Sequence, residues 1–167
     1  MNLYFLRHGK ACARGRKWQP DSTRPLTRSG EKKMFAIARG IQTLDVSFDL
    51  ILTSPYLRAF RTAGILAEVF ESKKVTETKN LIAEADPSAV IEEINEKHTD
   101  LKQIVLVGHE PFMTRLISVL LSGKDDLSIT LRKGGLCKLS IDKLSFGPCA
   151  CLDWLMTPRQ LARLARR

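Results

Sequence analysis

Three short apolar runs, at residues 3–6, 50–53 and 104–107, constrain the fold of this chain more than any other feature. Each is nearly continuous rather than alternating. That is the pattern of a strand buried on both faces, and such strands belong to parallel sheets covered by helices. The stretches that follow them change period. Met34, Ile37, Ala38 and Ile41 form one helical stripe within 29–43, and Leu57, Phe60, Ile65, Leu66 and Val69 form another within 56–70. Segments 87–97 and 111–121 give two more. Further strand patterns fall at 2–7, 75–78, 128–131, 136–141 and 151–156, the last three without helices between them. The alternation predicts an α/β chain, a three-layer α/β/α sandwich whose sheet is largely parallel with an antiparallel portion. At 167 residues and 44% hydrophobic content, with no repeat, low-complexity tract or linker, the chain reads as one domain over 1–167.

Charge narrows the class of partner. The formal net charge is +9, which favours anionic ligands: phosphates, acidic proteins or nucleic acid. A nucleic-acid module is the least favoured of these, because basic residues are not interleaved with aromatics in the manner of single-strand binders. No run approaches the ~20 apolar residues of a membrane helix, and no signal-peptide pattern is visible, so a cytoplasmic, membrane-free protein is expected. Cys12, Cys137, Cys149 and Cys151 then read as reduced thiols. Cys149 and Cys151 lack a second Cys/His pair at zinc spacing, so no metal is expected there.

What the buried strands deliver at their ends matters more. The first runs into Arg7-His8-Gly9, with glycine permitting a sharp change of direction. The second runs into Ser54-Pro55, a helix start with Ser54 as N-cap and Pro55 at the first helical position, which places Arg58 in the first turn. An arginine there is unhelpful to the helix dipole unless an anion lies between it and the free N–H groups. The third runs into Gly108-His109, with Pro111 opening the next helix. In open parallel sheets ligands bind beyond the carboxyl ends of the strands, near a topological switch point. Arg7, His8, Arg58 and His109 are all expected to converge there. Any one of them alone is ordinary; the convergence is the signal.

Taken in order, "LRHGKA", "RPLTRSG", "LTSPYLRAFRTA" and "VLVGHEP" resemble the histidine phosphatase superfamily, with the phosphoglycerate-mutase-like fold, and most nearly its small SixA-type phosphohistidine phosphatases. The chain is too short for the large insertions that roof the site in sugar-phosphate mutases and acid phosphatases. The resemblance implies a metal-independent, cofactor-free phosphatase. His8 is its nucleophile, and Arg7, Arg58 and His109 complete the phosphate-binding set. Imidazole can attack phosphorus without an added base, and two guanidinium forks can neutralise the equatorial oxygens. The implied substrate is a phosphorylated protein of the histidine-phosphotransfer type, with a small phosphate monoester as the alternative.

One element of the family pattern is hard to place. Counting forward from Leu81 puts the proton-donating acid at Ala83; counting back from Pro87 gives Glu84, with Asp86 close by. A missing acid favours phosphoramidates, because imidazole can depart neutral where a sugar alkoxide cannot. The basic segment 10–33 flanks the expected crevice as a long loop, functional or merely solvated, and Trp18 within it either lines the crevice or anchors the loop. His98 is expected to close a helix and Trp154 to be half-buried. The C-terminal "RQLARLARR" is read as an amphipathic helix packed by Leu161 and Leu164, and Arg132-Lys133 as an exposed turn pair.

Overall fold

The computed structural model describes residues 1–72 and 74–166. Strands β1 (Asn2–Arg7), β2 (Leu50–Thr53), β3 (Val75–Glu77), β4 (Gln103–Gly108), β5 (Leu136–Ile141) and β6 (Ala150–Met156) form one sheet in the order β3-β2-β4-β1-β5-β6. The four strands from β3 to β1 are parallel, and β5 and β6 add antiparallel. Helices α1 (Arg28–Gln42), α2 (Leu57–Phe70), α3 (Pro87–Lys97), α4 (Phe112–Ser122) and α5 (Pro158–Leu164) cover both faces.

Strand alternation sorts the core into two halves. Leu3, Phe5, Leu52 and Leu106 face α3 and α4, meeting Val90, Ile94, Phe112 and Leu116. Tyr4, Leu6, Ile51 and Val105 face α1, α2 and α5, meeting Ile37, Ile41, Leu66 and Leu161. The result is the expected α/β/α sandwich. After β1 the chain leaves for β2 on one side; after β4 it crosses to β5 on the other. The carboxyl ends of β1 and β4 therefore lie side by side at the switch point, in register from Asn2 with Gln103 to Arg7 with Gly108.

Two local expectations are corrected. Residues 128–131 form no strand, because β4 and β5 already occupy both edges of β1; the segment instead passes over the carboxyl end of β1. Helix α2 begins two residues later than Ser54-Pro55 predicts, with Tyr56 as N-cap. Ser54 is released for another contact, described below. His98 is the C-cap of α3, Trp154 is partly buried beside Tyr4, and α5 packs Leu161 into the core. Among the described residues, no helix is long and apolar enough to cross a membrane.

Candidate active site

Arg7, His8, Arg58 and His109 all line a single crevice of about 630 Å³ at the switch point. β1 delivers the first two. His8 N–H donates to the Gly108 carbonyl at 3.1 Å, so the parallel pairing of β1 with β4 continues one residue past the strand end. The peptide of Arg7 is held on its other side by Gly134 and Gly135. α2 delivers Arg58, whose carbonyl accepts from Thr62 Oγ1 at 2.7 Å, while Thr62 Oγ1 accepts from Gly9 N–H at 3.1 Å. That relay ties the helix to the turn after β1. β4 delivers His109. The four side chains sit where three buried strands end, and the physical reason is the shared sheet.

The two imidazoles lie 5.0 Å apart, centre to centre. His8 Nδ1 is 2.7 Å from the Gly9 carbonyl oxygen. A carbonyl can only accept, so Nδ1 carries the proton and the Nε2 lone pair is left free. His109 Nε2 is 2.8 Å from Ser54 Oγ, and Ser54 Oγ also accepts from Tyr56 N–H at 3.3 Å. Burial pushes both rings down, His8 to about 3 and His109 to about 2. For His8 the neighbouring Arg58, Arg7 and Lys133 cations act in the same direction. Both rings are therefore neutral at pH 7.

The arginines are fixed from behind. Arg7 Nη1 donates to the Leu131 carbonyl at 2.9 Å, the contact made by the segment crossing over β1. Arg58 is 4% exposed and is gripped by Asp21. Three buried polar atoms of this group have no partner: Arg7 Nε, Arg58 Nε and His109 Nδ1. Buried donors are almost always satisfied. Glu110 Oε1, on a fourth residue of the crevice, is likewise unpartnered and is an acceptor; it is the two guanidiniums, with Lys133 and Arg24 beside them, that suit the crevice to an oxyanion.

Of the two candidate acids, Glu84 lines the crevice, beside Ala83. Asp86 instead caps α3, accepting from Ser88 N–H at 3.0 Å. Trp18 lines the crevice, as one of its two readings had it. Sequence reasoning missed Asp21, Ser54, Glu110 and Lys133. Lys133 is exposed and in a turn, as expected, but it also lines the crevice, and burial together with Arg7, Arg24 and Arg58 holds its ammonium below the usual lysine range. Asp21 could have been suspected as one of only two acids in a strongly basic segment. Nothing local marks the others.

A family model, the histidine phosphatase superfamily (branch 1), matches residues 3–86, half of the chain. The chain belongs to the histidine phosphatase superfamily. Among its relatives, an uncharacterized protein from Picosynechococcus is 35% identical over 141 residues, covering 83% of this chain and 84% of that one. Phosphohistidine phosphatase SixA of Escherichia coli is 24% identical over 168 residues, covering 96% of each. In three dimensions, the protein histidine phosphatase SixA complexed with tungstate superposes with a TM-score of 0.83 at 21% identity, over 96% of this chain and 99% of that one. At that identity the superposition establishes the phosphoglycerate-mutase-like fold of the superfamily and nothing finer.

Proposed function

We propose that this protein is a phosphatase working through a phosphohistidine intermediate on His8, and that its substrate is phosphohistidine carried by another protein. The observation that supports it most directly is the fixed tautomer of His8. Its Nδ1–H is spent on Gly9, so Nε2 is the atom that faces an incoming phosphorus. The guanidiniums of Arg7 and Arg58, which line the crevice, receive the equatorial oxygens. His109, anchored to Ser54 through Nε2, lines the crevice beside them and stabilises a third oxygen as charge develops.

In the first step the Nε2 lone pair forms the new N–P bond while the P–N bond to the substrate ring breaks. A substrate imidazole protonated at its distal nitrogen leaves neutral, with no proton required from the enzyme. His8 becomes a cationic phosphoryl-imidazole, and its hydrogen bond to Gly9 becomes charge-assisted and stronger. Water then attacks phosphorus, the His8 N–P bond breaks, and the water's protons leave with orthophosphate. Neutral His8 is restored with its proton still on Nδ1.

The leaving group separates phosphohistidine from phosphate monoesters. An alkoxide needs a proton, and Ala83 stands where the forward count expects an acid. Glu84 and Glu110 are carboxyl groups of the crevice at positions other than that one. The crevice is also lined by Arg14, Arg24 and Lys133, cations that suit an acidic protein surface around the phosphorylated residue. The test is a substrate panel at equal concentration: a phosphohistidine protein, free phosphohistidine, a sugar phosphate and an aryl phosphate. Turnover of the phosphohistidine protein at least ~10²-fold above the sugar phosphate is expected, on the scale of one lost acid–base contribution. Equal turnover of the two would overturn the substrate assignment while leaving the phosphatase chemistry intact.

A further inference from the structure

Asp21 takes no part in the steps above, yet both its backbone and its side chain are committed to the anion site. It opens a single 3-10 turn, Asp21–Thr23, in the long basic loop. Its Oδ2 lies 2.9 Å from Arg58 Nη2, and its backbone carbonyl accepts from Arg58 Nη1 at 2.9 Å. Oδ1 accepts from Arg24 Nε at 2.9 Å, and Arg24 Nη1 donates onward to the Cys12 carbonyl at 2.9 Å. Arg24 is itself only 7% exposed. One residue thus occupies both terminal nitrogens of Arg58, and a second arginine holds that residue in place.

A guanidinium is a rigid plane, so fixing both terminal nitrogens fixes where Nε points. Nε is the one nitrogen of Arg58 left without a partner. We infer that Asp21 is a positioning residue: it fixes the guanidinium plane of Arg58 where that side chain lines the crevice, and Arg24 braces it from the loop side. This rests on the reading of Arg58 as a phosphoryl ligand. The opposing account makes Asp21 a rival anion that an incoming phosphate must displace.

The two accounts predict opposite signs. Removing a carboxylate makes the site more positive, so if charge decides, an oxyanion binds Asp21→Asn more tightly. If orientation decides, it binds more weakly in spite of the added charge. The Asp21 side chain is 39% exposed and its field is partly screened by water, whereas that of Arg58 is 4% exposed and has no ready substitute for a lost partner. Orientation therefore outweighs charge.

The experiment titrates tungstate into the wild-type protein, Asp21→Asn and Asp21→Glu by calorimetry, with kcat measured on a phosphohistidine protein. For Asp21→Asn, the tungstate Kd rises at least ~10-fold and kcat falls ~10²-fold, the scale of a misplaced binding group. Its circular dichroism stays that of the wild type. Asp21→Glu keeps the charge and changes only the reach, so it binds more weakly than wild type and more tightly than Asp21→Asn. Equal or tighter binding by Asp21→Asn overturns the inference. Should that variant fail to fold, binding by Asp21→Glu equal to wild type overturns it instead. A wild-type protein that binds no tungstate defeats the phosphoryl-ligand reading of Arg58, and the inference falls with it.

Discussion

His109 Nε2 meets Ser54 Oγ at 2.8 Å across the paired ends of β4 and β2. The contact decides which ring nitrogen of His109 is available, because Nδ1 is the buried atom left unpartnered. Ser54→Ala frees the tautomer. It is expected to lower kcat about tenfold, about the worth of one hydrogen bond felt in the transition state, with KM little changed. Steady-state kinetics check this; a variant that loses KM and keeps kcat contradicts it.

The two imidazoles also make stability depend on pH. Folded His8 and His109 take up protons only near 3 and 2, whereas unfolded histidine does so near 6.5. Between those values the unfolded chain binds more protons, so stability rises with pH and falls on acidification. Each histidine contributes a slope of about 1.4 kcal/mol per pH unit below ~6. Urea unfolding at pH 5.0–6.5, above most carboxylate titration, should show this slope reduced in His8→Asn and again in the double variant with His109→Asn. A slope unchanged by both substitutions is the contrary result.

Lys133 is expected to act on binding rather than on chemistry. It lines the crevice among Arg7, Arg24 and Arg58, and among the described residues it grips no carboxylate there. Lys133→Ala should raise KM roughly tenfold at low ionic strength, with kcat within about threefold, and the KM difference should shrink as salt is added. Kinetics across a salt series decide it. A large fall in kcat at constant KM would place Lys133 at the reacting group instead.

The packing of α1 on α5 offers a test remote from the site. A Cβ on Gly40 would run into the Leu161 carbonyl oxygen, which is backbone and cannot swing aside. Gly40→Ala should destabilise the fold by about 1–3 kcal/mol, as overpacking does, with kcat per folded molecule unchanged. Chemical denaturation reads the first and active-site titration the second.

How far the chain could be read in advance follows from where each signal is local. β1, β2 and β4 are legible because continuous apolar runs of four residues between helical stripes have one economical home, a covered sheet. Arg7, His8 and His109 are legible because they stand within two residues of the end of such a run, and Arg58 because the helix start after the second run places it in the first turn. Residues 128–131 misled because local pattern cannot show that both edges of β1 are already taken. Ser54 misled because Ser-Pro is a good helix start, and only the tertiary approach of His109 gives its hydroxyl another use. Asp21, Glu110 and Lys133 reach the crevice through loops whose path the sequence does not encode in any period.

The most direct measurement is the chemical form of the enzyme during turnover. Rapidly mixed with a protein carrying labelled phosphohistidine and quenched without acid, the enzyme should hold label on His8, attached at Nε2, because Nδ1 is committed to Gly9. His8→Ala should take up none and should not turn over. Label on another residue, or full turnover by His8→Ala, would contradict the account.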